Sequence, residues 1–240
     1  MACTDANRGS IYFTAYNTDS LLFQNPDLLH DLYVYKCVTT VVFTSDSGGE
    51  AANDTRILER ESALEMAYKF MNDRDYPIAE DGQAKWVHGE TSEEPIRKSS
   101  QDVPLRNVTS IQVGKYNISA SAFYNMPNVQ ILYLRLPDSP YPGQGYDAYG
   151  GESLKKLYQK KIPSITNTDR NTTYTLEGLK DLVATILRER QAAKIGILNR
   201  WIPYETDENY IEQEHTDRIT SAKIVWDVIV SEDIQGNVSS

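Results

Sequence analysis

The side chains with the widest chemical reach are few and scattered. Three histidines, His30, His88 and His215, stand in unrelated contexts. Only His215 has close carboxylates, in Glu212-Gln213-Glu214-His215-Thr216-Asp217, and carboxylates beside an imidazole are a donor set for a divalent cation. The spacing fits no known ligand pattern. A solvated acidic turn explains the same residues, so no metal or other cofactor is expected. Residues 205–217 add Glu205, Asp207 and Glu208. Glycosidic cleavage needs two carboxylates at a fixed separation, usually from different strands, and no such pair stands out here. Asp46-Ser47-Gly48-Gly49-Glu50 leads into a helix in the manner of an anion-cradling loop. It lacks the lysine and the glycine spacing, and its own acids repel phosphate, so it is set aside. Gly-x-Ser-x-Gly, His-Glu-x-x-His and Gly-x-Gly-x-x-Gly are absent. The chemistry-bearing residues read as those of a protein that is not an enzyme.

Charge and cysteines narrow the partners. With 24 Lys and Arg against 34 Asp and Glu, the 240-residue chain carries -10 and repels phosphate backbones and anionic membranes, so neither sequence-specific nucleic acid nor membrane is an expected partner. Lys155, Lys156, Lys160 and Lys161 are read as a solvated helical face. Two cysteines, Cys3 and Cys37, make neither a disulfide framework nor a zinc site, and Cys37 is read as a thiol packed in a sheet. The first twenty residues hold one basic residue, Arg8, and no apolar stretch of signal-peptide length, which points to synthesis in a reducing cytoplasm. Five Asn-x-Ser/Thr triplets, at Asn53, Asn107, Asn117, Asn171 and Asn237, are acceptors only in a secreted chain.

Periodicity supplies the elements around these residues. Residues 31–44 are apolar on both alternating faces and predict a strand covered on both sides. Ile57, Leu64, Ala67, Tyr68 and Met71 make one stripe of a helix over 53–72. Residues 78–106 form a long polar excursion, and strands follow at 107–113, 116–124 and 129–136 with hairpin spacing. Residues 137–151 carry three prolines, four glycines and three tyrosines and predict an extended arm. A short helix at 152–161, a strongly patterned helix at 175–191, a strand at 194–202 and a last strand at 219–230 complete one domain over 1–230, with a flexible, polar tail at 231–240 that is expected to fray. Strands grouped apart from helices give an α+β fold, read as a mainly antiparallel sheet with two or three helices packed on one side.

The aromatic content is the other signal. Sixteen tyrosines stand against five phenylalanines, and Tyr141, Tyr146 and Tyr149 lie in the irregular arm, where large amphipathic rings suit an interface. In general character the chain resembles structural proteins of tailed bacteriophages, particularly neck and tail-completion subunits. The resemblance is carried by the helix 175–191, the strand 194–202 and the closing segment 218–230, Arg-Ile-Thr-Ser-Ala-Lys-Ile-Val-Trp-Asp-Val-Ile-Val. It implies a subunit of a neck or tail ring, incorporated into a virion, acting through contacts with copies of itself or neighbouring structural proteins. The alternative is a β-rich module binding carbohydrate or a receptor through exposed rings, and after it a hydrolase whose carboxylates are unassigned.

Overall fold

The computed structural model describes residues 3, 8–49, 55–72, 107–123, 126–203 and 214–239. The excursion at 78–106, with His88, lies outside the described residues. The fold is α+β, built on one mixed sheet of seven strands in the order β3-β4-β5-β2-β1-β8-β9. These strands are β1 (Ser10–Thr14), β2 (Val38–Thr44), β3 (Asn107–Val113), β4 (Tyr116–Phe123), β5 (Met126–Leu136), β8 (Lys194–Gly196) and β9 (Asn237–Ser239). The 3-4-5 meander expected from hairpin spacing is antiparallel. The other four ladders, β5·β2, β2·β1, β1·β8 and β8·β9, are parallel. The antiparallel character is thus confined to one edge, because short turns can join antiparallel strands whereas the remaining connections pass through helices.

Those helices cover both faces, not one. On one face, α2 (Asp27–Val34) and α3 (Thr55–Asn72) pack Leu28, Leu32, Leu64 and Tyr68 against Tyr12, Val38, Val42 and Ile131. On the other, α4 (Leu154–Tyr158), α5 (Leu176–Arg190) and α6 (Thr216–Ser231) cover Ile11, Phe13, Val41, Phe43 and Leu132. The cause is topological. The sheet grows from β1 to β2 to β5 in one direction and then returns to lay β8 on the other side of β1. Right-handed crossovers running in opposite directions put their helices on opposite faces. A five-residue helix, α1 (Asp19–Phe23), follows β1 directly, and a two-stranded hairpin, β6 (Ile165–Thr166) with β7 (Thr173–Tyr174), precedes α5.

Several segments depart from the sequence reading for local reasons. Residues 31–44 split: the helix α2 runs to Val34, Lys36 reverses the chain at φ 50°, and only Val38–Thr44 is strand, buried on both faces as expected. Residues 219–230 are helix, not strand. The alternation of Ala222, Ile224, Trp226 and Val228 coexists with a helical set, Ile219, Ala222, Val225 and Ile229, all buried, while Val230 is 62% exposed. His215 decides the matter by accepting the Asp217 N–H at 3.2 Å as an N-cap. The tail is not wholly frayed, since Asn237–Ser239 pairs with the otherwise open edge of β8. Cys37 is bonded to Cys3 rather than free. The helix at 175–191 behaves as read, with Thr175 accepting the Gly178 N–H at 3.0 Å. Among the described residues no helix is long and apolar enough to cross a membrane.

Candidate functional site

In an open sheet with parallel strands, the loops leaving two neighbouring strands diverge where strand order reverses, and a crevice opens outside their carboxyl ends. Here the reversal falls between β1 and β8. The loops after β1, β2 and β5 and the start of α6 all bring polar side chains to that edge.

The turn after β1 supplies Tyr16, Asn17 and Asp19. Asp19 is fully buried; its Oδ2 accepts the N–H groups of Ala15 and Tyr16 at 3.1 and 2.8 Å, and its Oδ1 accepts Arg218 Nε at 2.8 Å. Arg218 also donates to Glu214 at 3.0 Å, and its guanidinium lies 4.8 Å from the Phe23 ring centroid and 5.4 Å from that of Tyr16. Burial raises the Asp19 carboxyl and Arg218 opposes that rise.

The loop after β2 meets the loop after β5. Ser47 N and Gly48 N donate to the two oxygens of Asp138, each at 2.9 Å, and Ser47 Oγ donates at 2.6 Å. The segment set aside as an anion cradle does hold an anion, one supplied by the chain itself. Any side chain at Gly49 would run into the Tyr146 ring, so glycine is required there for the two loops to touch.

Asp217, fully buried in the first turn of α6, closes the set. It accepts Ser139 N at 2.9 Å, Ser139 Oγ at 2.8 Å and the Tyr16 hydroxyl at 2.8 Å. Burial pushes its carboxyl up to about 6, against the pull of those hydrogen bonds. The Tyr16 oxygen stands 2.9 and 3.2 Å from the two ring nitrogens of His215. Burial, then the nearby Arg218 charge, lowers the His215 pKa, so the ring is neutral. With Nδ1 accepting the Asp217 N–H, the proton sits on Nε2, facing Tyr16. Two polar groups stay outside this network. The Asn17 side chain, 3% exposed, has no partner for its oxygen or its nitrogen, and neither has the buried Thr216 hydroxyl.

The residues read from sequence are distributed unevenly. Glu214, His215 and Asp217 do come together, but as caps and ion-pair partners; Glu205, Asp207, Glu208 and Glu212 lie outside the described residues. No group of three metal-ligating side chains close enough to share an ion occurs among the described residues. Residues 137–151 lie across the chain's own loops instead of reaching out as an arm. Asp138 and Ser139 anchor one end, and Lys155 Nζ and Lys156 Nζ donate to Pro142 O and Gly151 O at 2.8 and 2.7 Å. Those lysines are therefore staples rather than a solvated face. Tyr141 keeps 48% of its surface exposed, while Tyr146 and Tyr149 are half-buried. His30 is exposed beside Asp31, away from the crevice.

Sequence reasoning missed Tyr16, Asp19, Asp138 and Arg218. The usable signal was positional: each lies just past the end of a strand or in the first turn of a helix, and polar residues there face the carboxyl edge. Compared with protein-family models, curated proteins and solved structures, the chain matches none.

Proposed function

We propose that this chain is a binding protein for a neutral polyhydroxylated ligand of the carbohydrate class, held in the crevice outside the carboxyl ends of β1 and β8. The observation that carries the reading is the Asn17 amide in the loop after β1, buried with donor and acceptor both unpartnered, together with the buried, unpartnered Thr216 hydroxyl at the start of α6. Buried polar groups without partners are rare, and vicinal hydroxyls offer the donor–acceptor pairs these two need. Charge argues the same way. Asp19, Asp138 and Asp217 are buried at this edge, and the guanidiniums of Arg218 and Arg60 are already engaged by Asp19, Glu214 and Asp46, which disfavours an anionic ligand. An aromatic ring borders the site: Tyr16 is half-buried and its hydroxyl meets His215 and Asp217. Binding fits better than catalysis because every carboxylate in the network is already satisfied, leaving none poised as nucleophile or base. Calorimetric titration of a sugar panel tests this. Asn17→Ala should weaken binding by about tenfold or more, a loss of roughly 1.4 kcal/mol. A chain that binds no sugar, or binds equally well without Asn17, ends the reading.

A subunit role in a protein assembly is the second reading, favoured by one observation. Leu22, Phe23, Tyr33, Val34 and Tyr35 on and around α1 and α2 are all at least 40% exposed, an apolar concentration that solitary proteins rarely carry. Sedimentation decides it: the native chain should run as an oligomer and Leu22→Glu with Val34→Glu as a monomer. A native chain that is already monomeric removes this reading.

A further inference from the structure

A second cavity lies on the far side of β5 from the crevice. The β4·β5 ladder runs from Phe123↔Met126 to Ser119↔Tyr133 and stops there. Tyr116–Ile118 and Leu134–Leu136 continue beyond it without pairing to each other, so the two strands splay within the sheet. A volume of about 620 Å³ opens beside the splay, closed on its third side by the turn between β6 and β7. That size falls in the range of small-molecule sites, about 300–1,000 Å³.

Its walls are fixed before any ligand arrives. Arg135 sits at φ 51°, a strained position for a long side chain, and strain of this kind persists only where the surroundings enforce it. Glu61 accepts Arg135 Nε and Nη2 at 2.7 and 2.8 Å, and Asp169 accepts Nη1 at 3.0 Å. The Arg135 carbonyl in turn accepts Thr168 N at 2.8 Å and ties the turn to β5. Asn167 Oδ1 then accepts Asn171 N and Thr172 N, both at 3.1 Å, which sets the shape of the turn. Tyr116 and Tyr174, ring centroids 4.8 Å apart, contribute an aromatic wall. The remaining lining is mostly short hydroxyls and amides, including Ser110, Asn117, Ser119 and Asn171, with Lys115, whose Nζ lies 5.2 Å from the Tyr116 ring centroid, and the apolar Ile118 and Leu134.

We propose that this cavity is a second binding site, separate from the crevice, for a neutral polyhydroxylated molecule. Two cations, Arg135 and Lys115, stand against two carboxylates, Glu61 and Asp169, so the walls offer hydroxyl and amide hydrogen bonds beside tyrosine faces rather than a net charge for an ion. Strand ends that have left their ladder add main-chain donors and acceptors. A preformed polar site with an aromatic wall suits a sugar ring, whose edge is polar and whose faces are C–H. The inference does not rest on the crevice reading, although both name the same ligand class.

Backbone amide NMR of the full chain tests it, with glucose, mannose, N-acetylglucosamine and their disaccharides added up to about 50 mM, well above a millimolar dissociation constant. Saturable shifts at Ser110, Asn117, Ser119 and 171–173 are expected, and Asn117→Trp, a change at an exposed position that fills the cavity, should abolish them. Asn117→Ala should weaken the same shifts about tenfold without changing the rest of the spectrum. Shifts confined to 15–19 and 214–218 would overturn this inference and leave the crevice reading standing. Shifts confined to the cavity would do the reverse. Saturable shifts that survive Asn117→Trp, or no shifts at either place, overturn it.

Discussion

The two ends of the parallel strands handle buried charge in opposite ways. At the amino ends of β1 and β2 sits Arg190, 4% exposed and with no carboxylate paired to it among the described residues. It donates to Arg8 O and Thr39 Oγ1 at 2.8 Å, to Cys37 Sγ at 2.8 Å, and to Cys37 O and Ser10 O at 3.2 and 3.3 Å. One cation there ties together the start of two strands, a cysteine and the last turn of α5, and burial pulls its pKa down only to about 10, so it stays charged at neutral pH. At the carboxyl ends, of three buried carboxylates only Asp19 is hydrogen-bonded to a guanidinium, and two uncharged groups, in the loop after β1 and at the start of α6, are left unpartnered. Arg190 donates from all three of its guanidinium nitrogens, as a staple should. The surplus at the opposite edge is what separates a place built to hold the fold from one built to receive something.

Breaking the amino-end staple should give the largest effect. Arg190→Leu removes the donor from several buried acceptors at once, and each acceptor left unsatisfied costs about 1–3 kcal/mol. Thermal or urea unfolding reads the loss. Sugar affinity of the molecules that remain folded should not change, since no crevice residue touches Arg190. A loss below about 1 kcal/mol would show that Arg190 is not a staple, and the contrast between the two ends would disappear.

How much of this was legible beforehand depended on whether a residue's role is local. The α5 face with its Thr175 cap and the meander at 107–136 are set by neighbours within a few residues, and pattern was enough to read them. The two faces of helices were not legible, because the parallel ladders join β1 to β8 and β2 to β5 across more than eighty residues of chain. Without the partner of β1, a five-residue run such as Ser10–Thr14 has no distinguishing pattern. The segment 219–230 carried both a twofold and a helical period, and only the cap at His215, itself held by Tyr16 from the other end of the chain, separates them. The crevice was hidden for the same reason. Asp19 and Arg218, or Ser47 and Asp138, become one site only when the sheet brings their loops to one edge.

The carboxyl end can be probed with less damage through Asp217. Its carboxyl titrates near 6 in the folded chain, above the ordinary value of 3.8. An acid whose folded pKa is raised keeps a proton that the unfolded chain has released, so stability is highest below the ordinary value and falls as pH climbs to about 6. The drop attributable to this group is on the order of 3 kcal/mol across that window, with little further change above it. Asp217→Asn cannot ionise and fits the same contacts. Its oxygen takes the place that accepts Ser139 N and Tyr16, and its amide nitrogen donates to Ser139 Oγ, which turns from donor to acceptor. The variant should therefore fold, match the native chain near pH 4, and become the more stable of the two above pH 6. Urea unfolding at stepped pH measures the difference between the two curves, in which every other titrating group cancels. If the variant instead loses stability equally at all pH values, the Asp217 network acts only as a neutral hydrogen-bond hub. The carboxyl edge then carries no more latent charge than the fold requires, and the distinction drawn from the Arg190 end loses its electrostatic half.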